Sequence, residues 1–342
     1  MKLLQAMAGA QNGGAEEFFV RLALAFEQSE VDQRVVIRAH PYRKKRLDEG
    51  GVETDTVRFG RWFDIHTRQR LNKIIRDYEP DIVLTWMSRA SHVCPRPTKL
   101  RHFVRVARIG GYYKLKYFRQ CDHLILNTPG LVQYVCDLGW PEERAHYLPN
   151  FVSERRAPPL DRKFLNTPAG VPIILGLGRL HNNKGFDVLL ESMTRLPGHW
   201  LWLAGDGPER GSLEAQAARL GVDDRVKFIG WHNDVAPLFA SVDMLVIPSR
   251  SEPLGNVVLE AWAQCVPVVA AAAQGLQQLI VDGVDGLITP VNDSRALADT
   301  IREINGTRAR SLAEVGWERY RKSYSEATVV SQYLDFFRTL TA

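Results

Sequence analysis

Residues 3–7 and 34–39 form short apolar runs, and between them residues 14–28 place Phe18, Leu22 and Ala25 on one face. A short apolar run bounded by polar residues predicts a buried strand, and a face recurring at helical spacing predicts an amphipathic helix. The alternation continues, with strands predicted at 82–86, 104–109 and 123–126 and helices at 67–78 and 130–138. It breaks at Leu148-Pro149-Asn150-Phe151 and the polar, proline-bearing stretch 153–170, which reads as an exposed linker. A second series follows. Its strands are predicted at 173–177, 200–204, 226–229, 244–247 and 268–271, and its helices at 186–193, 209–220, 235–240, 256–264 and 295–304. Residues 311–340 read as one helix, with Tyr333, Leu334, Phe336, Phe337 and Leu340 set to pack on another domain.

Strands alternating with helices imply parallel sheets covered on both faces, an α/β class. The 342 residues suit two domains. The organisation expected is two Rossmann-like, doubly wound domains: 1–150, a linker at 151–170, and 171–315. A terminal helix over 316–342 would cross back to the first domain. Such domains bind ligands outside the carboxyl ends of their strands, and a cleft faced by two such edges suits a two-substrate enzyme.

Composition narrows the setting. Cys94, Cys121, Cys136 and Cys265 have no metal-ligand or CxxC spacing, which points to a reducing compartment. No secretory signal and no apolar stretch of about 18 residues are found, so a cytoplasmic protein is expected, with peripheral contact at the inner face of the membrane left open. Net charge is +5. Residues 1–150 hold 24 Lys and Arg against 17 Asp and Glu, whereas the remainder holds 20 against 22. A basic first half suits an anionic partner, or a well-solvated surface.

The segment with most chemistry runs from Pro248 to Ala261, following one predicted strand and opening a helix. Glu252 lies in its loop and Glu260 inside the helix. Gly255 permits close backbone approach, and free N–H groups near Gly255 and Asn256 would face an anion. Two carboxylates flanking a helix start suit hydroxyls of a sugar or ribose. They equally suit a capping residue and a solvated surface acid.

This segment resembles the E-x7-E signature of family 4 retaining glycosyltransferases, which have the GT-B fold. Gly176-Leu177-Gly178-Arg179-Leu180 with Lys184-Gly185-Phe186 is similar to the family's GR-x-x-x-x-KG element. Ala204-Gly205-Asp206-Gly207-Pro208 is similar to its G-x-G-P turn, and Asn12-Gly13-Gly14-Ala15-Glu16 resembles its glycine-rich first loop. The resemblance is specific between Val171 and Pro290 and weak between His40 and Tyr147.

The resemblance implies roles. Arg179 and Lys184 would neutralise a donor diphosphate, next to Gly178 and Gly205. Glu252 would contact the transferred sugar, Glu260 the ribose, and Leu254, Gly255 and Asn256 would offer backbone donors. Gly13 and Gly14 would bring the first helix against the donor phosphate or the acceptor. Ile229 or Trp231 would pack on the nucleobase, Trp231 being as well suited to a core. The donor would be a nucleotide sugar, bound as substrate. No D-x-D triplet occurs, so no metal is expected and no other cofactor is implied. The implied reaction is hexosyl transfer with retention by front-face attack. Glycines 110 and 111 stand where family members often carry a histidine near the sugar, and His92 is a substitute candidate.

Arg96, Lys99, Arg101, Arg105, Arg108, Lys114, Lys116 and Arg119 are interleaved with Phe103, Tyr112, Tyr113, Tyr117 and Phe118. Basic and aromatic residues together suit an anionic membrane surface or a phosphorylated glycolipid, and Arg105, Arg108, Tyr112, Lys114 and Lys116 are the acceptor or membrane candidates. A lipopolysaccharide core or capsule saccharide is the favoured acceptor. No recognised nucleic-acid module is present. Two other functions fit the same architecture: a nucleotide-sugar epimerase, and a non-catalytic nucleotide-sugar-binding protein.

Overall fold

The computed structural model describes residues 1–10, 13–60, 64–98 and 102–341. The chain folds into two units, Met1–Phe151 with Glu326–Ala342, and Val152–Ser325.

In chain order the first unit contains β1 (Lys2–Met7), α1 (Gly14–Glu27), β2 (Asp32–Arg38), α2 (Pro41–Glu49), β3 (Thr54–Val57), α3 (Ile65–Tyr78) and β4 (Ile82–Trp86). It continues with α4 (Met87–Val93), β5 (Val104–Ile109), β6 (His123–Leu126), α5 (Pro129–Asp137) and β7 (Ala145–Tyr147). Its strands form one sheet in the order β3-β2-β1-β4-β5-β6-β7, every pairing parallel. The order reverses between β1 and β4, the point where doubly wound sheets open a crevice at their carboxyl edge. β4 is buried at all of its positions and β1 at all but the first, as expected of strands covered on both faces. One face carries a core built on Phe18, Phe19, Phe26 and Trp86, and the other a core built on Leu71, Ile74 and Ile75.

The second unit contains β8 (Ile173–Leu177), α6 (Phe186–Met193), β9 (Trp200–Ala204), α7 (Arg210–Leu220), β10 (Val226–Gly230), α8 (Ala236–Phe239) and β11 (Met244–Ile247). α9 (Asn256–Ala263), β12 (Val268–Ala271), α10 (Gln274–Leu279), β13 (Leu287–Thr289), α11 (Ser294–Glu303) and α12 (Gly306–Ser323) complete it. Its sheet runs β10-β9-β8-β11-β12-β13, again parallel throughout. α12 lies on α9, and Gly316 makes room for this: a Cβ there would stand 2.4 Å from Trp262 Cδ1.

The helix expected at 311–340 is two helices, α12 and then α13 (Glu326–Thr341). α12 buries Leu312, Gly316 and Tyr320, and α13 buries Val329, Tyr333 and Phe337. At about 100° per residue, the nine residues from Tyr320 to Val329 turn the second stripe roughly 180° from the first. The break at Tyr324 resets the phase, and α13 joins the first unit's core beside Phe26. The stretch expected as an exposed linker is fastened to the second unit. Val152 is buried there, Leu160 N–H donates to Ser241 Oγ (2.8 Å), and Trp202 Nε1 donates to Thr167 Oγ1 (3.0 Å).

His123 on β6 and His146 on β7 share a hydrogen bond of 3.0 Å, and Phe336 of α13 leans on both rings. Burial lowers the pKa of both, that of His146 to about 4, with the neighbouring imidazole adding to the effect. A depressed folded-state pKa contributes stability that is present above the unfolded value near 6.5 and lost as pH falls through the folded value. The first unit is therefore expected to lose stability between pH 6.5 and 4. Urea denaturation at pH 7 and pH 4.5 checks this, and His146→Phe should flatten the dependence over that range.

Candidate functional site

Three strand-to-helix loops converge at the carboxyl edge of the second sheet. After β8 the chain turns at Gly178, whose N–H donates to Ala204 O (3.0 Å), and Leu180 N–H donates to Asp206 O (3.0 Å). The β8 and β9 loops thus lie back to back. This contact requires glycine at 205, where φ is 137° and a Cβ would fall 1.9 Å from Gly178 O. Arg179 on the first of these loops is exposed and makes no hydrogen bond or ion pair among the described residues. Lys184 closes a short 3-10 turn (Asn182–Lys184), and its aliphatic stem passes over the bare Cα of Gly178.

The loop after β11 brings Glu252 to this place, where its carboxylate pairs with the Lys184 ammonium. Both side chains are largely buried, at 22% and 13% exposure, so water screens the pair only in part. Arg250 determines where that loop sits. Its guanidinium grips both carboxylate oxygens of Asp187 at 2.7 and 2.6 Å, and it donates to Asn182 O and Asn292 Oδ1, each at 2.7 Å. Its backbone N–H donates to Asn183 O (2.9 Å). Burial opposes ionisation of Asp187, but the Arg250 hydrogen bonds and charge outweigh it and hold that carboxyl below its ordinary pKa. Sequence reasoning missed Arg250. Two residues before Glu252, it looks like any surface cation, and only the fork on Asp187 distinguishes it.

Gly255 caps α9 with φ 79° and, having no side chain, makes no side-chain cap hydrogen bond. Leu254 is buried beside it, and Gly275 N–H holds Glu252 O at 3.0 Å, so the β12 loop completes the site. Asn256 opens α9 and Glu260 follows one turn later on the same face, both half-buried. The structure therefore brings together Gly178, Lys184, Glu252, Leu254, Gly255 and Asn256, with Arg179 on the same loop as Lys184 and Glu260 a turn into the helix. At the end of β10, Trp231 is 51% exposed and its Nε1 donates to Asn233 Oδ1 (3.0 Å), whereas Ile229 packs against the core. Trp231 is the side chain with a free ring face. Among the described residues no cluster of three or more His, Cys, Asp or Glu is placed to hold a metal ion.

The first unit's candidates are placed differently. Asn12 lies outside the described residues. Gly13 caps α1 in an extended conformation, and Gly14 opens the helix. A Cβ at Gly13 would stand 2.3 Å from Glu16 Oε2, and Glu16 folds back to accept from Ala10 N–H (2.7 Å). His92 is exposed in the last turn of α4, with Tyr117 edge-on to its ring at 6.2 Å. Lys99 and Arg101 lie outside the described residues. Tyr112, Lys114 and Lys116 are exposed.

Arg105 and Arg108 are corrections. They are 1% and 2% exposed, so neither reaches a membrane surface. They sit on opposite faces of β5, and helices cover both faces of that sheet. Arg105 donates to Ser91 O (3.1 Å) and Gln120 Oε1 (3.2 Å). Arg108 donates to Tyr333 Oη (2.8 Å) and to Asn150 Oδ1, with its guanidinium 4.5 Å from the Phe18 ring and 4.9 Å from the Trp86 ring.

Residues 171–305 match the family described as glycosyl transferases group 1, and residues 12–156 match glycosyltransferase family 4. The lipopolysaccharide core biosynthesis glycosyltransferase LpsE of Rhizobium meliloti is 39% identical over 331 residues, covering 95% of each chain. LpsD of the same organism, given the same description, is 34% identical and covers 98% of each chain. Among solved structures, Anabaena Alr3699/HepE in complex with UDP and glucose has a TM-score of 0.85 at 21% identity, covering 99% of each chain. That likeness places the two parallel sheets as the two Rossmann-like domains of a GT-B fold. With both halves matched and full-length relatives of this similarity, the chain belongs to the family 4 glycosyltransferases.

Proposed function

We propose that the protein moves a hexose-type sugar from a nucleotide diphosphate donor to an anionic saccharide or glycolipid acceptor, with retention and without a metal ion. The observation that carries this reading is the Lys184–Glu252 ion pair at the meeting point of three strand-end loops. A lysine is a compact, mobile point charge, so an incoming diphosphate can draw it from Glu252. The released carboxylate then accepts from hydroxyls of the sugar. Arg179 meets the second phosphate with its planar fork, the positive end of α9 adds to the field, and Glu260 holds the ribose. Trp231 offers its ring to the base. Anabaena Alr3699/HepE, which has the same fold, has been crystallised with UDP and glucose, which supports a uridine donor.

In the transfer, the bond between the anomeric carbon and the phosphate oxygen breaks as the acceptor oxygen closes on the same face. The departing phosphate oxygen takes the acceptor proton. Charge grows on the diphosphate as the sugar becomes oxocarbenium-like, so cations aimed at the phosphates favour the transition state over the ground state. His92, exposed on α4, is the remaining candidate for a proton relay. An epimerase or a non-catalytic binder is not favoured, because the relatives matched along the whole chain are glycosyltransferases.

LpsE and LpsD are described as lipopolysaccharide core biosynthesis glycosyltransferases, which supports a core saccharide as acceptor; the proposed place of action is the cytoplasmic face of the membrane. Among the described residues no helix is long and apolar enough to cross a membrane. Peripheral contact falls to the segment with exposed Tyr112, Lys114, Lys116 and Arg119 alternating with half-buried Tyr113, Leu115 and Tyr117.

Three outcomes test this reading. A thermal-shift screen of nucleotide sugars should find one that stabilises the protein, and Glu252→Gln or Lys184→Met should cut its turnover by about 10²-fold or more. Undiminished turnover in both variants would remove the assigned roles. Turnover should survive chelation of divalent ions, and abolition by chelator with rescue by metal would refute the metal-free mechanism. Lys114→Ala with Lys116→Ala should weaken sedimentation with anionic phosphatidylglycerol vesicles, and high salt should do the same to the wild type.

A further inference from the structure

Two polar groups buried in the first unit converge on one glycine and leave their bonding incomplete. Asn127 follows β6 and is 4% exposed, and its Oδ1 is buried without a hydrogen-bond partner. Turning the amide over would bury an unpartnered nitrogen instead. Leaving a buried amide in this way is costly, which is why such groups are rare unless something occupies them. Arg108 is the last residue but one of β5 and is 2% exposed. Its Nε and Nη2 are used by Tyr333 and Asn150, neither of which carries a compensating negative charge. Its Nη1 has no hydrogen-bond partner among the described residues. A buried guanidinium without a carboxylate is unfavourable unless an anion reaches it.

Asn127 Nδ2 and Arg108 Nη1 both lie beside Gly110, whereas the orphaned Asn127 Oδ1 is not among the atoms nearest to it. A Cβ on Gly110 would lie 3.4 Å from Asn127 Nδ2 and 3.8 Å from Arg108 Nη1. Gly110 has no such atom, so the space above both groups stays open, and Gly110 and Gly111 are half-buried rather than sealed. Asn127 also immediately precedes Thr128, the N-cap of α5, whose hydroxyl accepts from Leu131 N–H (3.1 Å). The positive end of that helix adds to the field. The buried carboxylate of Glu16, which Tyr113 senses, is engaged by Ala10 N–H and also faces Arg43. Among the described residues it makes no ion pair with Arg108.

We infer that Arg108 Nη1 and the Asn127 amide, exposed by the absence of a side chain at Gly110, form an anion subsite that receives a phosphate or carboxylate group of the acceptor. The assignment to the acceptor rests on the proposed function. The subsite itself rests on the geometry of the first unit.

Inorganic phosphate is the probe, titrated into the full chain with and without saturating UDP while the thermal midpoint is followed. The wild type should gain several degrees from phosphate in both conditions. Asn127→Asp should raise the midpoint of the unliganded protein, because the new carboxylate pairs with Arg108, and should abolish the phosphate response while leaving the UDP response intact. Asn127→Leu should weaken phosphate binding by about 10-fold or more without lowering the unliganded midpoint. Either variant binding phosphate as the wild type does, or both variants losing several degrees when unliganded, would overturn the subsite. So would a phosphate response that disappears once UDP is present, since the ion would then occupy the donor site. A protein that ignores UDP and every other nucleotide, yet responds to phosphate through Asn127, would sink the donor reading and support this one.

Discussion

The candidate site in the second unit depends on the fork that Arg250 makes with Asp187. A lysine and a glutamate carried on separate loops do not by themselves meet in a defined place, because both side chains are flexible and an isolated exposed pair contributes under about 1 kcal/mol. Arg250 supplies the definition. Two parallel hydrogen bonds to the carboxylate fix both distance and orientation, and further donations to Asn182 and Asn292 bring in two more segments. The β11 loop is thereby fixed against the start of α6, and Glu252 and Lys184 follow. The glycines at 178 and 205 serve the same end by removing side chains that would hold the β8 and β9 loops apart.

Seen this way, it is clear why part of the site was legible in the sequence. Glu252, Glu260, Arg179 and Lys184 stand among glycines at strand ends, and that combination of close backbone approach and charge has few structural uses. Arg250 carries no such context. It orients the β11 loop, and orienting residues are chosen by what lies across from them in space. The core strands were legible because short runs made mostly of apolar residues have little alternative to burial. β3, with the sequence Thr-Asp-Thr-Val, and the three-residue strands β7 and β13 were not, because an edge strand needs little apolar surface.

Arginine is where sequence reasoning misplaced residues, and the reason is physical. Reading Arg105 and Arg108 as surface cations assumes that a charge stays in water. β5 crosses the interior of a sheet covered on both faces, so every position after its first is buried, whatever its chemistry. What makes this tolerable for Arg108 is that a guanidinium is flat and weakly hydrated. It can lie against the Phe18 and Trp86 rings and spread its donors to a phenol and an amide. A lysine ammonium would have no comparable fit.

This relocates part of the basic character of the first half. Arg43, Arg105 and Arg108 are all at most 3% exposed, so their charge does not act at the surface. Part of what remains outside is the alternation over 112–119 of exposed Lys114, Lys116 and Arg119 with half-buried Tyr113, Leu115 and Tyr117. Buried and exposed cations serve different chemistry. An exposed lysine attracts an anionic surface over about a Debye length and weakens with salt. A buried guanidinium acts only on a group that enters, and then strongly, because little water competes. On the proposed reading, the exposed cations would find a membrane-borne acceptor and the buried guanidinium would orient one anionic group of it, and the first unit keeps the two on different residues.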